Sequence, residues 1–429
     1  MSEFRGYDGK SLDFLKSHDV KVGDTVKITS DLTYDGILMP RYEGNNEDRL
    51  VLKLKNGYNI GIEVDDISKI EKIQQSESSK VKTEEIVTKE GLPKILLLST
   101  GGTIASKIDY RTGAVTPAVT PEELNASVPE LSDIANIIPK ILFSEYSENL
   151  QPEHWKEIAE ELDNVANSDY KGIIIAHGTD TMQYTASYLS FALAGFPIPI
   201  AMVGSQRSSD RPSSDAALNL IAATRFLTKT TEKGIYVIMH HNENDKTIAC
   251  HLATRVRKNH TSKRGAFQTI GDNPAFLVVN EKIEKNLNED FFKEKEYNPK
   301  ISLSTKIALV KYHPGYDSKI LDSIIDSGVK GVIFEGTGLG HVGKTMYKSV
   351  KNANEKGVFL GMTSQCIDGR IGMTVYESGR DLLDLGIIPL ENMIPETALV
   401  KAMWALGNSN NNEQMKELML SNIASEFAD

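Results

Sequence analysis

Two segments of this chain place threonines where a sheet could hold a reacting group. The first places Thr100 just beyond the apolar run 94–98. The second places Thr179, with Asp180 beside it, just beyond the apolar run 172–176. Ligands and catalytic groups of open α/β sheets gather at the carboxyl ends of the strands. A threonine hydroxyl is a poor nucleophile unless a base activates it, so these segments predict covalent catalysis supported by a base.

The residues beside the threonines suit this chemistry. Gly101 and Gly102 have no Cβ, so backbone at these positions can approach a ligand closely. Their amides, or the amide of Gly178, can act as oxyanion donors. A lysine can serve as the base if its surroundings tune it. The Asp180 carboxylate is suited to hold a cation, which is either that lysine or a substrate ammonium. The pattern favours attack on an amide.

Composition limits the class of protein. The chain has 429 residues, with 40% hydrophobic and 25% charged residues, which predicts a folded protein of roughly two to four domains. A net charge of −11 disfavours nucleic-acid binding by the chain as a whole, so contact with RNA would need a local patch or a partner. Cys250 and Cys366 are too few for a disulfide framework. With no secretory signal and no membrane-length apolar run, we expect a cytoplasmic location.

The order of apolar and polar stretches predicts the architecture. Strand-like runs alternate with amphipathic helical patterns in the second and larger part of the chain, which predicts an α/β fold with a two-domain parallel-sheet body. Asn56-Gly57 lies between alternating runs, a hairpin signal within a small SH3-like β barrel. The expected units are a small all-β domain at 1–75, a linker at 76–92, a larger α/β catalytic domain at 93–285, a connector at 286–303 and a smaller α/β domain at 304–429.

A second motif favours a different class of protein. Gly338-Leu-Gly-His-Val-Gly-Lys-Thr345 matches the P-loop pattern and follows the apolar run 331–335. However, a P-loop normally opens a sheet with several further strands, one of them ending in a magnesium-binding Asp. The next strand, 358–362, ends in Thr-Ser-Gln. The P-loop nucleotide-binding protein therefore stays an alternative, and a glycine-shaped turn is the preferred interpretation.

Histidines and acidic residues of the middle region raise the possibility of a metal site. They are His240, His241, Glu243, Asp245, His251 and His260. None of them forms H-E-x-x-H or a comparable helical spacing, so no metal site is predicted.

The two threonine segments also carry a family resemblance. Thr100-Gly-Gly-Thr-Ile-Ala-Ser106 and His177-Gly-Thr-Asp-Thr181 are similar to the two signatures of the bacterial-type asparaginase and glutaminase family. Members of that family have two threonine-centred triads completed by a lysine. The segment 254–261 resembles the lysine segment, which implies that Lys258 is the base.

The resemblance implies a role for each residue of the site. Thr100 would be the nucleophile, and Thr179 and Lys258 would handle the proton. Asp180 would grip the α-ammonium of the substrate.

The substrate-binding residues follow from the same resemblance. The segment 109–113 resembles a loop whose tyrosine closes the site, which implies Tyr110. Residues 146–149 resemble the segment that binds the amino-acid head group, which implies Ser147 and Glu148. Gly178 would approach the substrate through its backbone.

An asparaginase-like body behind a small β domain resembles the ammonia-supplying glutaminase subunits of tRNA-dependent amidotransferases. This implies that the chain hydrolyses L-glutamine and passes ammonia to a synthetase-like, tRNA-binding partner subunit. The partner would use ATP and Mg²⁺ to convert glutamate carried on tRNA(Gln) to glutamine, and this chain would bind no cofactor itself. A homodimer within a heterotetramer is implied as well. A free-standing asparaginase/glutaminase, and a β barrel that serves as a binding module on an inactive body, remain alternatives.

Overall fold

The computed structural model describes residues 4, 6–39, 48–54, 59–74, 89–101, 106–109, 114–117, 128–207, 214–287 and 295–427.

The amino-terminal elements are α1 (Gly9–Ser17), β1 (Thr25–Thr29), β2 (Thr33–Leu38), β3 (Arg49–Leu54), β4 (Asn59–Glu63) and β5 (Lys69–Gln74). These strands form an antiparallel sheet in the order β4-β3-β2-β1-β5. Alternate residues of β1, Val26 and Ile28, are buried with Leu15 of α1. The small β unit is therefore present, and α1 is an addition to the all-β expectation. Asn56-Gly57 lies outside the described residues.

The central part of the chain supplies an eight-stranded sheet and its helices. In chain order its elements are β6 (Lys94–Gly101), β7 (Ser106–Asp109), β8 (Ala114–Pro117), β9 (Asn136–Glu145), α2 (Pro152–Asn164), β10 (Gly172–Ala176), α3 (Met182–Ala192), β11 (Ile200–Val203), α4 (Ala216–Lys229), β12 (Ile235–His240), β13 (Thr247–Leu252), β14 (Val256–Lys258), β15 (Phe267–Thr269), β16 (Phe276–Val279) and β17 (Lys282–Lys285).

This large sheet is mixed and not wholly parallel. The strand order is β17-β16-β13-β12-β11-β10-β6-β9, and the strands from β12 to β9 run parallel. The strands β13, β16 and β17 extend it antiparallel. For the last pair the cause is local, because Asn280-Glu281 joins β16 to β17 with Asn280 at φ +55°. A connection this short can join only antiparallel neighbours. The α/β, parallel-sheet prediction is confirmed for the body, with an antiparallel edge added.

The core explains why the middle strands are so apolar. Every residue of β10 is buried, as expected of a parallel strand covered on both faces. Ile173 and Ile175 pack into one hydrophobic cluster, and Ile174 packs into another on the opposite face. Helices cover both clusters, so the sheet is a rigid support for the residues at its strand ends.

The order of the strands indicates where the eight-stranded sheet should bind a ligand. From β6 the chain goes to β9 on one side, and it then returns to β10 on the other side. Such a reversal opens a crevice at the carboxyl ends of the two neighbouring strands, where open α/β folds bind ligands. The two threonine segments lie at the ends of this pair of strands.

The remaining elements form the carboxy-terminal unit. They are β18 (Ile307–Lys311), α5 (Ser318–Asp326), β19 (Gly331–Gly336), α6 (Tyr347–Glu355), β20 (Phe359–Ser364), α7 (Glu377–Asp384), β21 (Ile388–Pro389), α8 (Pro395–Gly407) and α9 (Asn412–Leu420). The strands are parallel in the order β18-β19-β20-β21. The helix α8 packs between this sheet and α3, and the rings of Phe191 and Trp404 lie 5.8 Å apart there. The two sheets thus share one core.

The P-loop-like segment does not have the geometry that phosphate binding needs. Thr337 and His341 exchange backbone hydrogen bonds, so the intervening glycines close a tight turn. A 3₁₀ turn, Lys344–Met346, then precedes α6, and a Cβ at Gly343 would collide with Tyr312. The loop therefore does not wrap around a helix N-terminus as a P-loop does.

Across the described ranges, no helix is long and apolar enough to cross a membrane.

Candidate active site

Thr100 lies inside the end of β6 and not beyond it. Its side chain is buried, and its hydroxyl donates a hydrogen bond of 2.9 Å to the carbonyl oxygen of Ala176 on β10. The register pairs Ser99 with Ala176, so Thr100 stands at the point where the two parallel strands end. The next residue, Gly101, has φ +109°, and a Cβ there would collide with the backbone of Glu145. A glycine is therefore needed directly after the threonine.

His177 fixes the start of the second threonine segment. It is fully buried, with Nδ1 2.6 Å from the carbonyl oxygen of Gly178 and Nε2 2.9 Å from the Thr185 hydroxyl. A carbonyl can only accept, so Nδ1 carries the proton and Nε2 accepts from Thr185 in the neutral ring. Burial lowers the pKa of His177 to about 4. The neutral imidazole therefore fixes this turn through its contacts with Gly178 and Thr185.

Lys258 contacts both Thr179 and Asp180. It ends β14, and its Nζ lies 2.8 Å from Thr179 Oγ1 and 2.7 Å from Asp180 Oδ1. Its side chain is only 9% exposed, whereas that of Asp180 is 65% exposed. The backbone N–H of Lys258 donates to Gln183 Oε1 at 3.1 Å, so α3 anchors the strand. The structure thus brings Lys258 to the adjacent pair Thr179 and Asp180, which lie far from it in sequence.

The head-group residues approach the same turn from another direction. Ser147 begins a 3₁₀ turn and is buried, whereas Glu148 beside it is exposed. Thr181 Oγ1 donates to the carbonyl oxygen of Ser147 at 2.7 Å. A Cβ on Gly178 would lie 2.7 Å from Ser147 Cβ, too close for any side chain. Ser147 and Gly178 therefore sit against each other, with Glu148 at the open side.

Some predicted residues are not placed by the structure. Tyr110 and Gly102 lie outside the described residues. Among the described residues, no group of three or more His, Cys, Asp or Glu side chains could hold a metal ion. Instead, His240 Nδ1 lies 2.6 Å from Asn219 Oδ1, and His251 Nδ1 lies 2.8 Å from Thr269 Oγ1.

Sequence reasoning does not single out Gln183 or His177. Gln183 is buried on α3, where nearly every neighbour along the helix is also buried. A lone amide on such an apolar helix, four residues after Thr179, is a signal that could have found it. For His177 the signal is its place directly after a wholly apolar strand.

This arrangement can activate a hydroxyl. A neutral lysine amine can take the proton of Thr179, and a protonated one can return it to a leaving group. Asp180 lies at ion-pair distance from Nζ, so its carboxylate orients the amine. Thr100, at the end of the adjacent strand, supplies a second hydroxyl. The site has the parts of a nucleophile–base unit oriented by a third group.

Comparisons with known proteins agree with this geometry. The family model described as "Asparaginase, N-terminal" matches residues 94–290, and "Glutaminase/Asparaginase C-terminal domain" matches residues 306–419. Among solved structures, the thermostable L-asparaginase from Thermococcus kodakarensis is 30% identical with a TM-score of 0.71, covering 78% of this chain and 99% of that chain. L-asparaginase I from Vibrio cholerae is 25% identical with a TM-score of 0.69, covering 79% and 99%. The body is therefore of the asparaginase and glutaminase class.

The matches to the amino-terminal unit and to full-length relatives define the family more narrowly than the matches to the body do. The model described as "GatD N-terminal domain" matches residues 20–73. The GatD subunit of the glutamyl-tRNA(Gln) amidotransferase of Pyrococcus abyssi is 48% identical over 428 residues, covering 97% of each chain. The subunit of the same name from Sulfolobus acidocaldarius is 44% identical over 424 residues, covering 98% of this chain and 95% of the relative. The chain belongs to the GatD family of glutamyl-tRNA(Gln) amidotransferase subunits.

Proposed function

We propose that this chain is the glutaminase subunit of a tRNA-dependent amidotransferase. The observation that carries the proposal is the position of Lys258 Nζ, 2.8 Å from Thr179 Oγ1 and 2.7 Å from Asp180 Oδ1. These two residues follow β10, and Thr100 is hydrogen-bonded to the last residue of that strand. The asparaginase-like body, with the amino-terminal domain that the GatD relatives have, supports a subunit and not a free-standing enzyme.

The chemistry follows from the residues. A threonine oxygen, Thr100 in this proposal, attacks the carboxamide carbon of L-glutamine, and its proton passes to the neutral amine of Lys258 through Thr179. The tetrahedral oxyanion is stabilised by backbone N–H groups near Gly178. When the C–N bond breaks, the proton returns to nitrogen and ammonia leaves. Water then attacks the threonine ester, which releases glutamate and restores the hydroxyl.

Substrate binding uses the other groups at the crevice. In this proposal Ser147 and Glu148 hold the amino-acid head group, with Gly178 close to it, and Tyr110 closes over it. The Asp180 carboxylate grips the substrate ammonium in addition to Lys258, which its exposure to solvent permits.

Ammonia then has to be used elsewhere. Hydrolysis of a carboxamide needs a nucleophile and a base but no nucleotide, whereas amidation of a carboxylate needs that carboxylate to be activated. We therefore assign ATP and Mg²⁺ to a synthetase-like partner subunit that binds the tRNA and converts Glu-tRNA(Gln) to Gln-tRNA(Gln). The net charge of −11 favours tRNA contact mainly through that partner. A homodimer within a heterotetramer is part of the same proposal, as is a cytoplasmic location.

Ammonia release from glutamine, by the chain alone and by the chain with its partner and charged tRNA, tests the proposal. We expect activity to depend on the partner, and Thr100→Ala, Thr179→Ala and Lys258→Ala each to lose about 10³-fold or more, since loss of one member of a nucleophile–base unit removes most covalent catalysis. Ammonia release that survives Lys258→Ala would overturn the base assignment.

The second candidate is a free-standing asparaginase, which the likeness to solved L-asparaginases favours. It predicts rapid hydrolysis of asparagine by the purified chain without any partner. That result, together with no response of glutamine hydrolysis to tRNA, would replace the amidotransferase proposal.

A further inference from the structure

Helix α8 of the carboxy-terminal unit contacts the segment that carries Lys258. Thr397 Oγ1 donates to the carbonyl oxygen of Thr254 at 2.8 Å, two residues before β14 begins. The Ser187 hydroxyl of α3 lies 3.1 Å from Thr397 Oγ1 and also donates to the carbonyl oxygen of Ala253. The approach to β14 is therefore held between a helix of the large unit and a helix of the small one.

The next contact of α8 falls directly beside Lys258. Glu396 Oε1 lies 3.0 Å from Arg257 Nε, and their side chains are 8% and 29% exposed. Successive side chains of a strand point to opposite faces, so Arg257 faces α8 when Lys258 faces Thr179. The ion pair and the Lys258–Thr179 contact thus hold the same short strand from its two sides.

Glu396 lies in surroundings that make its pairing with Arg257 important. Its Oε2 is buried and has no hydrogen-bond partner among the described residues. Burial raises the pKa of Glu396, and the charge of Arg257 opposes that rise. The other charged or titratable groups nearby are Glu335, which pairs with Lys311 at 3.1 Å, and Tyr184 of α3. Since a buried carboxylate is unfavourable without a cation, the geometry ties Glu396 to the strand of Lys258.

We propose that Arg257 and Glu396 are positioning residues, through which α8 of the small unit holds Lys258 against Thr179. This inference rests on the proposed function, because it gives the carboxy-terminal unit a part in the glutaminase reaction. Neither side chain touches the reacting atoms. They act by fixing β14, and a displacement of the amine of about 1 Å can cost about 10²-fold in rate.

The test compares kcat and KM of the assembled enzyme with glutamine for Arg257→Met, Glu396→Gln and the double variant. We expect each single change to lower kcat about 10- to 100-fold with KM changed by less than about threefold, because Ser147 and Gly178 stand on other elements. The double variant should lose little more than one single variant, since both changes remove the same contact. The charge-swapped pair, Arg257→Glu with Glu396→Arg, should recover part of kcat.

Acylation of Lys258 by an amine reagent, followed by peptide mapping, measures its position independently of turnover. The Lys258 side chain is 9% exposed, so labelling should be slow in the parent protein and faster in Arg257→Met and Glu396→Gln. Glu232→Gln is the matched control. It removes a partly buried carboxylate of similar type, paired with Lys285 at 2.7 Å on the edge strand β17, and should change neither kcat nor labelling.

Lys258→Met separates the two levels of the proposal. If it abolishes turnover while Arg257→Met and Glu396→Gln keep the parent kcat and labelling rate, the positioning role is wrong and the proposed function stands. If Lys258→Met itself retains turnover, the base role that the proposed function gives to Lys258 fails first. Equal loss of kcat in Glu232→Gln would overturn the positioning role as well, because the effect would then be a general one.

Discussion

The hydroxyl of Thr100 donates to the main-chain carbonyl of Ala176 on the adjacent strand, 2.9 Å away. The proton stays on the Thr100 oxygen and points at a carbonyl that cannot remove it, so the hydroxyl must rotate away from Ala176 to deliver that proton to a base. This relationship fixes the oxygen at the strand ends while leaving its proton to be redirected.

Thr100→Val tests that relationship, because valine keeps the shape and replaces the hydroxyl with a methyl group. We expect turnover of glutamine to fall about 10³-fold or more. The free energy of unfolding should change by only about 1 kcal/mol, the usual net value of one hydrogen bond. Steady-state ammonia release and urea unfolding measure the two effects. Thr100→Ser keeps the hydroxyl and should retain most activity, and a Thr100→Val protein that works as well as Thr100→Ser would refute the assignment.

Asp180→Asn removes the charge that faces Lys258 Nζ at 2.7 Å. We expect kcat to fall about 10²-fold or more, the range typical of general acid–base groups. Stability should change by less than about 1 kcal/mol, because the carboxylate is 65% exposed and its ion pair is screened by solvent. Kinetics and thermal unfolding of the same sample check this pair of outcomes. A loss of stability with unchanged kcat would make Asp180 a structural residue.

Gly178→Ala tests the close contact between the threonine turn and Ser147. The added methyl would lie 2.7 Å from Ser147 Cβ, so one of the two backbones must move. We expect KM for glutamine to rise and kcat to fall, while the overall fold is kept. Gly91→Ala is a control of the same type, since nothing lies within 4 Å of a Cβ there, although its φ of +86° costs some stability. Parent-like kinetics of Gly178→Ala would show that the turn does not need this contact.

Acid should destabilise the fold through buried neutral histidines. Burial lowers the pKa of His177 to about 4 and that of His251 to about 3. In the unfolded chain both rings have a pKa near 6.5. Their contribution to the free energy of unfolding is therefore complete above pH 6.5 and is lost as the pH falls toward 4, because only the unfolded chain binds the protons there. The contribution of His177 is roughly 3 kcal/mol.

Urea unfolding between pH 7.5 and pH 4.5 measures this loss. His177→Gln should show a shallower decline with falling pH than the parent protein. An identical decline in both proteins would mean that His177 does not titrate on unfolding.

The carboxy-terminal segment is held by a buried ion pair. Lys401 Nζ lies 2.5 Å from Glu426 Oε1, and both side chains are completely buried. Burial lowers the pKa of Lys401, and Glu426 opposes that effect. Glu426→Ala leaves the ammonium without its partner, so we expect a loss of about 3 to 5 kcal/mol in the free energy of unfolding. By contrast, Glu281→Ala breaks an exposed pair with Arg225 and should cost less than about 1 kcal/mol. Equal costs for the two variants would contradict this view.

The sequence predicted the parts of the fold that local patterns determine. Gly172–Ala176 is a strand with the predicted bounds, and the alternation of strands with helices continues with α3 directly after it. The antiparallel edge of the large sheet was not predicted. Helix α1 was not predicted either, because Gly9–Ser17 has only one apolar side chain that is completely buried, Leu15. Propensity alone is a weak guide in so short a helix.

For the site, motifs identified the threonines, whereas the position of Lys258 needed the family resemblance. Nothing in its own segment distinguishes it from the neighbouring Arg257, since both are cations in a polar stretch. The pairing of β14 with β15 and the contact with Gln183 decide which side chain faces Thr179. Contacts of this kind depend on the tertiary fold, and no local pattern reports them.

The central claim is that one threonine oxygen forms a bond to the substrate with the help of Lys258. Labelling with a diazoketone derived from glutamine, followed by peptide mapping, tests it most directly. We predict a single adduct on Thr100, absent from Thr100→Val and strongly slowed in Lys258→Met. An adduct on a residue outside the strand-end crevice, formed equally fast in Lys258→Met, would contradict the claim.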